Sequence, residues 1–248
     1  GEEIAEMLKG MEEDCSGFEI LDAPTHSDAA AMAVSLAKQG RADILMKGRI
    51  QTADLLHAVV QKDTGLKTEK MMSLIAFHEI PGYHKLLCIT DGGMVMYPDL
   101  DEKKQILQNA VDVCHGIGID IPKVAVLAAV EVVNPKMPEA VDAAALKRMN
   151  QLGEITRCVV EGPISYDLAM SLESAKIKGY ESPICGDADI LLVPDITVGN
   201  VLGKALVVSA GAKMAGFVVG AKVPVVLTSR GSSIEDKYLS LVLAAASV

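Results

Sequence analysis

Short uninterrupted apolar runs alternate with longer amphipathic segments along most of the chain. Such runs predict buried strands that are covered on both faces, and the segments between them predict helices. The predicted strands are 18–21, 42–46, 71–77, 85–90, 123–129, 158–160, 188–193, 215–219 and 224–227. The predicted helices are 1–10, 27–39, 52–62, 101–114, 138–151, 165–176, 197–208 and one after residue 232. This alternation is typical of an α/β protein with a largely parallel sheet.

Polar segments follow several of the predicted strands. They include Lys47-Gly48-Arg49, Asp91-Gly92-Gly93, Glu161-Gly162-Pro163, Pro194-Asp195 and Ser229-Arg230. Ligands of α/β proteins bind beyond the carboxyl ends of the strands, so we expect the functional residues in these segments.

The last polar segment carries the strongest candidate chemistry. Ser232 and Glu235 fit a capping box, which predicts a helix whose first N–H groups are free to bind an anion. The guanidinium of Arg230 suits phosphate, and Asp236 adds a carboxylate in the first helical turn that can act as a base. Helix capping with a solvated Arg230 is the commoner explanation of such a pattern, and spacing alone leaves both interpretations open.

Composition narrows the classes of function. A net charge of -10 over 248 residues argues against general nucleic-acid binding, although a small anion needs only a local positive pocket. The chain has no apolar stretch of membrane-spanning length, and its five cysteines lack paired close spacing. We therefore expect buried free thiols, a cytoplasmic location and no membrane partner. The histidines show no metal-ligand spacing, so we expect no metal site.

Five stretches of the chain resemble one known family. They are ADILMKG (42–48), AVEVVNPKMPEAVDAA (129–144), VVEGPISYDLAMS (159–171), KGYESPICGDADILLVPDITVGNVLGK (178–204) and GAKVPVVLTSRGSSIED (220–236). From about Phe18 to the C-terminus the chain resembles the phosphate acetyl/butyryltransferases, and more closely the butyryltransferases. By this resemblance, some tens of N-terminal residues precede Gly1.

The resemblance implies a two-lobed, three-layer αβα fold like that of isocitrate and isopropylmalate dehydrogenases. We expect residues 1–68 with 220–248 to form the first lobe and 69–219 the second, with the site between them. The resemblance also implies a homodimer or a higher homo-oligomer.

The implied reaction converts acyl-CoA and inorganic phosphate to CoA and acyl phosphate. CoA is a substrate or product, and the resemblance implies no tightly bound cofactor, no metal and no covalent enzyme intermediate. It assigns catalysis to Ser229, Arg230 and Asp236. Further residues are expected to bind substrate, namely Arg49, Thr52, His57, Asn200, Lys204, Gly231 and Ser232.

The chain departs from the family pattern at two places, one of which concerns anion binding and the other the acyl group. The family tends to have an Arg where this chain has His57, so the anion-binding task of that Arg is weaker here or falls to Arg49. The SRGSSIED loop resembles the acetyltransferase form, whereas the rest of the chain resembles butyryltransferases. Phosphate acetyltransferase is therefore the alternative activity. An NAD-dependent decarboxylating dehydrogenase and a small-anion binding protein without turnover are more distant alternatives.

Overall fold

The structure, a computed structural model, describes residues 1–10, 17–228 and 231–247. The strands within these ranges are β1 (Leu45–Met46), β2 (Ser73–Glu79), β3 (Leu87–Thr90), β4 (Lys123–Leu127), β5 (Val159–Ile164), β6 (Ile190–Leu192), β7 (Lys213–Val219) and β8 (Val225–Val226). The helices are α1 (Glu2–Lys9), α2 (His26–Lys38), α3 (Thr52–Val60), α4 (Leu100–Gly116), α5 (Pro138–Gln151), α6 (Tyr166–Met170), α7 (Leu172–Lys178), α8 (Ile196–Ala210) and α9 (Ile234–Ala246).

The predicted elements are found with two exceptions. Residues 18–21 form no strand, and Phe18 is 64% exposed, because an apolar run becomes a strand only where a sheet edge and a buried face are available to it. The predicted helix 165–176 is divided into α6 and α7. Ser171 is extended at the break, and its side chain accepts a hydrogen bond from the backbone N–H of Ser174.

The eight strands form a single sheet in the order β1-β8-β7-β2-β3-β6-β4-β5. Four of the seven pairings are parallel, which agrees with the predicted largely parallel sheet. The three antiparallel pairings, β2 with β3, β2 with β7 and β7 with β8, lie together in the middle of the sheet. Their position makes the sheet mixed at its centre and parallel towards both edges.

Helices cover both faces of the sheet, which confirms the three-layer αβα architecture. Alternate residues of the strands point to opposite faces. On one face, Phe77, Val126 and Phe217 pack with residues of α4 and α5 in one large core. On the other face there are two separate cores, one over β3 to β6 with α6 to α8 and one over β1 and β8 with α2 and α3.

The gap between these two cores leaves a cleft over one face of β2 and β7. This cleft fits the expected two-lobed organisation, but the division into residues 1–68 with 220–248 and residues 69–219 stays a prediction. In the described part of the chain, no helix is long and apolar enough to cross a membrane.

Candidate active site

The floor of the cleft is a cavity of about 260 Å³ that rests on β2 and β7. Three cross-strand pairs form this floor, Leu74 with Val218, Ala76 with Gly216 and His78 with Met214. The central pair has the smallest side chains, and this leaves space above the sheet. A Cβ on Gly216 would lie 2.8 Å from the carbonyl oxygen of Ile75, so the close strand approach requires glycine there.

Polar side chains from three helices and from the loop between β8 and α9 surround the opening of this cavity. They belong to Thr52, Asn200, Lys204, Thr228, Ser232, Asp236 and Ser240. Five of them are residues that the sequence predicts for the site, namely Thr52, Asn200, Lys204, Ser232 and Asp236. The fold thus brings together side chains that lie as far apart in sequence as α3 and α9.

The start of α9 differs by one residue from the sequence prediction. Ser233 is the N-cap, and its Oγ accepts a hydrogen bond from the backbone N–H of Asp236 at 3.0 Å. The carboxylate of Asp236 in turn accepts one from the N–H of Ser233 at 3.0 Å. The predicted capping box of Ser232 and Glu235 is therefore wrong, because the extended backbone at Ser233 places Asp236 at the third helical position. Ser232 is left to line the cavity, and Glu235 pairs with Lys213 at 2.7 Å.

α9 lies beside the part of β7 that the short β8 leaves unpaired. The backbone N–H of Gly216 donates a hydrogen bond to Ser240 Oγ at 3.1 Å, and Ser240 donates to the carbonyl oxygen of Asp236 at 2.7 Å. These bonds satisfy the exposed strand edge and fix the first turn of α9 over the cavity. The position of Asp236 beside the floor therefore follows from a contact between helix and sheet.

The turn after β3 forms another side of the cavity and is held by the buried carboxylate of Asp91. The backbone N–H groups that donate to this carboxylate, at 2.8 to 3.3 Å, belong to Leu74, Gly93, Met94 and Val95. Burial raises the pKa of Asp91, and these hydrogen bonds oppose the rise. Asp91 thereby positions Gly92 and Gly93, which both line the cavity.

The N-terminal part of α8 packs against the same turn. A Cβ on Gly199 would lie 2.6 Å from the Cα of Gly92, so the two backbones approach more closely than a side chain allows. Asn200 donates a hydrogen bond to the carbonyl oxygen of Gly92 at 3.1 Å. Asp195 caps the helix by accepting from the N–H groups of Thr197 and Val198. These contacts orient Asn200 and Lys204 towards the cleft.

A second cavity, of about 740 Å³, shares Thr228 with the first and lies beyond the carboxyl ends of β1 and β8. Its lining includes three cationic side chains, those of Lys47, Arg49 and Lys237. Lys47 is buried, and its ammonium donates to the carbonyl oxygens of Gly48 and Ile50. Arg49 is exposed and also lies 3.7 Å from Glu3. The arrangement makes a locally positive pocket on a negatively charged chain.

Four other predicted site residues stand apart from the main cavity or lie outside the description. Ser229 and Arg230 lie outside the described residues. His57 is exposed on α3, where its Nε2 pairs with the side-chain amide of Gln61 at 2.8 Å. Gly231 is exposed and precedes Ser232. The assignments of all four to catalysis or binding stay predictions.

Sequence reasoning missed His78, Ser240 and Lys237. Ser240 follows Asp236 by four residues and so shares its helix face, which is the signal that could have placed it near the same site. Lys237 directly follows Asp236 and lines the neighbouring basic cavity instead. His78 interrupts the apolar run of β2 at the parity of Leu74 and Ala76, which indicates that it faces the same side as they do. Only the structure shows that this side is a cavity.

His78 is the buried polar residue of the cavity floor, and 1% of it is exposed. Neither ring nitrogen has a hydrogen-bond partner among the described residues. Burial lowers the pKa of His78, and the backbones of Leu87 and Ala76 offset part of this effect without completing a hydrogen bond. The imidazole is therefore held in its neutral form.

Within residues 1–10, 17–228 and 231–247, no group of three His, Cys, Asp or Glu side chains could hold a metal ion. The chemistry available to the described cavity is that of a carboxylate, a neutral imidazole, hydroxyl groups, an ammonium group and the N-terminus of α9. These groups can bind an anion and move a proton next to it.

Comparison with known proteins agrees with this chemistry. A family model described as "Phosphate acetyl/butaryl transferase" matches residues 2–245. The phosphate acetyltransferase of Thermotoga maritima is 44% identical over 98% of this chain and 83% of its own length. The phosphate butyryltransferase of Clostridium acetobutylicum is 45% identical over 98% of this chain and 81% of its own length.

A solved structure gives the same result. The branched-chain phosphotransacylase from Enterococcus faecalis V583 superposes with a TM-score of 0.85 at 38% identity, covering 98% of this chain and 92% of its own. The predicted fold class and the predicted transferase activity are confirmed. With matches that extend over nearly its whole length, the chain belongs to the phosphate acetyl/butyryltransferase family.

Proposed function

We propose that this enzyme transfers a short acyl group reversibly between coenzyme A and inorganic phosphate in a direct ternary complex. The observation that carries the proposal is the cavity in which Asp236, at the N-terminus of α9, lies with Thr52, Ser232 and Lys204 above a floor that is apolar except for His78. Polar and cationic groups at the opening suit phosphate, and the floor suits an acyl chain.

In the direction of acyl phosphate formation, a phosphate oxygen attacks the thioester carbonyl carbon. The C–S bond then breaks, and CoA leaves with the bonding electron pair and takes up a proton. In the reverse direction, Asp236 accepts the proton of the CoA thiol, and the thiolate attacks the carbonyl carbon of the acyl phosphate. The C–O bond to the phosphoryl group then breaks, and inorganic phosphate leaves with the bonding electron pair. Ser229 would donate a hydrogen bond to the developing oxyanion or to the departing sulfur, and Arg230 would hold the phosphate; both roles rest on the family resemblance.

The basic cavity next to the site supports a place for the phosphate groups of CoA. Lys47, Arg49 and Lys237 line it, and Thr228 lines both this cavity and the main one. We assign Arg49 and Lys237 to these phosphates because their cationic heads lie outside the apolar acyl region. The expected binding roles of Thr52, Asn200, Lys204 and Ser232 are supported by their position at the opening of the main cavity.

The acyl group is proposed to be short. A volume of about 260 Å³ holds only a small part of a CoA thioester, so the cavity accommodates the reacting end and the acyl chain while the rest of CoA lies outside. The relatives include a phosphate acetyltransferase and a phosphate butyryltransferase, so both acetyl and butyryl groups are candidates.

The test is to incubate the enzyme with acetyl-CoA or butyryl-CoA and to follow free thiol with and without phosphate. Thiol release that requires phosphate is expected. Release at the same rate without phosphate would indicate a thioesterase instead. Tight phosphate binding without any thiol release would favour the alternative of a small-anion binding protein.

We also infer a homodimer in the cytoplasm. Exposed apolar side chains, among them Tyr97, Val198 and Val201, lie around the start of α8 and would supply an interface. The cysteines at 88, 114, 158 and 185 are free and buried, as expected in a reducing compartment. Sedimentation of the wild type and of Val201→Glu would test the interface. Identical monomeric behaviour of both would argue against the dimer.

A further inference from the structure

The buried imidazole of His78 is the least satisfied polar group of the described structure. Both of its ring nitrogens are inaccessible to solvent and lack a hydrogen-bond partner in the described part of the chain. A buried polar group without a partner destabilises a protein, by about 1–3 kcal/mol. Such groups are rare in native proteins, and a role in function is one of the explanations for them.

The surroundings of the ring show where a partner would come from. A Cβ on Gly203 of α8 would lie 3.5 Å from His78 Nε2, so the glycine faces the ring but offers it no polar side chain. The cross-strand neighbour Met214 is apolar, and so is the nearby Ile89. The backbones of Leu87 and Ala76 also lie near the ring but complete no hydrogen bond with it. The cavity, whose floor His78 helps to form, is therefore where we look for a partner.

His78 lies deeper in the cavity than the residues that are proposed to act on the thioester. Asn200 and Lys204 are exposed, and Ser232 and Asp236 are half-buried, whereas His78 lies under the surface. A thioester carbonyl beside Asp236 would therefore direct its acyl chain inward, over Ala76 and Gly216. The chain, and not the carbonyl, is the part of the substrate that reaches the imidazole.

We propose that His78 is a specificity-determining residue that hydrogen-bonds an oxygen substituent, a hydroxyl or oxo group, on the chain of a short acyl group. This inference rests on the proposed acyl transfer and specifies the class of acyl group that is transferred. The enzyme then favours oxygen-substituted short acyl-CoA thioesters over the saturated ones of equal length.

The chemistry of the ring selects this class. A neutral imidazole offers one N–H donor and one acceptor nitrogen, and a hydroxyl group can bond with either. A carboxylate at the end of the chain would bury a charge next to His78, and the described neighbours of the ring named above carry no positive charge, so this binding is far more costly. A saturated chain leaves the imidazole unpaired, and a site with an unpaired polar group discriminates against such a substrate.

The experiment compares kcat/KM for 3-hydroxybutyryl-CoA and butyryl-CoA in the phosphate-dependent thiol release assay. The variants are His78→Phe, which removes both nitrogens, and His78→Gln, which retains a donor and an acceptor. Met214→Leu is the matched control, because it changes the shape of the cross-strand neighbour without changing its polarity. Thermal unfolding of each variant shows whether the fold is intact.

For the wild type we expect kcat/KM to be about tenfold higher for the hydroxyacyl thioester, the effect of one hydrogen bond. In His78→Phe we expect this preference for the hydroxyacyl thioester to disappear or to reverse, while the Tm equals or exceeds that of the wild type. His78→Gln should retain part of the preference, and Met214→Leu should change both substrates in parallel.

Three results would overturn the inference. One is a wild type that prefers butyryl-CoA, and another is an unchanged ratio in His78→Phe. The third is an equal fall in kcat/KM for both substrates in a folded His78→Phe variant, which would place the imidazole at the thioester group that both substrates share. If no acyl-CoA releases thiol in a phosphate-dependent way, the proposed acyl transfer itself fails, which is a different outcome.

Discussion

At the scale of single residues, Asp236 has two tasks that can be separated. Its carboxylate completes the capping box with Ser233, and it also lines the cavity where the thiol proton must be accepted. An amide oxygen can still accept the hydrogen bond from the Ser233 N–H, but it cannot act as a base. The two tasks therefore respond differently to substitution.

We expect Asp236→Asn to lower kcat at least about tenfold while the Tm falls only slightly, because the cap is kept. Ser233→Ala is the matched control, since it removes the cap and keeps the carboxylate. It should cost about 1 kcal/mol of unfolding free energy and retain most of the turnover. Steady-state kinetics and thermal unfolding of both variants check this, and equal turnover in Asp236→Asn and the wild type would remove Asp236 from catalysis.

His78 gives a second prediction at this scale, on stability and pH. Burial lowers its pKa below the ordinary value of 6.5. Between the lowered pKa and 6.5, the unfolded chain binds a proton that the folded chain does not, so the free energy of unfolding rises with pH. The wild type should therefore lose stability as the pH falls below about 6.5.

Urea unfolding at pH 7.5 and 5.5 measures this loss. His78→Phe should lose less unfolding free energy between the two pH values than the wild type, and it should be at least as stable at pH 7.5. Equal losses in the two proteins would show that the imidazole does not titrate differently in the folded and unfolded states.

At the scale of elements, the site depends on how α8 sits on the turn after β3. The backbones of Gly92 and Gly199 are in contact, and the carbonyl oxygen of Asp91 would lie 2.9 Å from a Cβ on Gly199. Asn200 follows directly and is bonded to the same turn. A shift of α8 would therefore move Asn200 and Lys204 away from the opening of the cavity.

Gly199→Ala is expected to lower the unfolding free energy by about 1–3 kcal/mol through this clash, and to raise KM several-fold. Gly203→Ala on the same helix is the control for stability. Its Cβ would meet the nearest atom at 3.5 Å, an ordinary contact, so the higher helix propensity of alanine should leave the enzyme as stable or more so. If Gly199→Ala unfolds at the same Tm as Gly203→Ala, the close approach is not required.

At the scale of the whole molecule, charge is distributed unevenly. The chain carries a net charge of -10, yet Lys47, Arg49 and Lys237 meet at one cavity beside the site. An overall negative surface repels CoA, so a local cationic pocket has to attract its phosphate groups. Binding of CoA is therefore expected to weaken as salt screens that pocket.

Lys237→Gln should raise KM for acyl-CoA about threefold to tenfold and leave kcat nearly unchanged. Lys62→Gln, which removes an exposed lysine from the turn after α3, is the matched control with the same change in net charge. A KM titration in increasing KCl should show a weaker salt dependence for Lys237→Gln than for the control. If both variants behave alike, net charge and not the cavity governs binding of CoA.

The sequence by itself determined the order of the elements, the α/β class and the family. Periodicity and the length of apolar runs are local properties, so eight strands were predictable within a few residues, as was the polar segment before α9. The resemblance supplied Ser229, Arg230 and Asp236 together because matched motifs carry their positions with them. These local patterns do not specify which strands pair with one another in the sheet.

Only the tertiary structure decided the antiparallel centre of the sheet and the burial of His78, because both depend on contacts between segments that are distant in sequence. The position of the capping box, at Ser233 instead of Ser232, follows from the local backbone conformation. β2 pairs with β7 across more than a hundred residues, and that pairing makes Leu74, Ala76 and His78 the floor of a cavity. An apolar strand with one histidine has the same sequence pattern whether the histidine lies in a packed core or lines a cavity. The two cases can be distinguished only when the positions of the neighbouring chain segments are known.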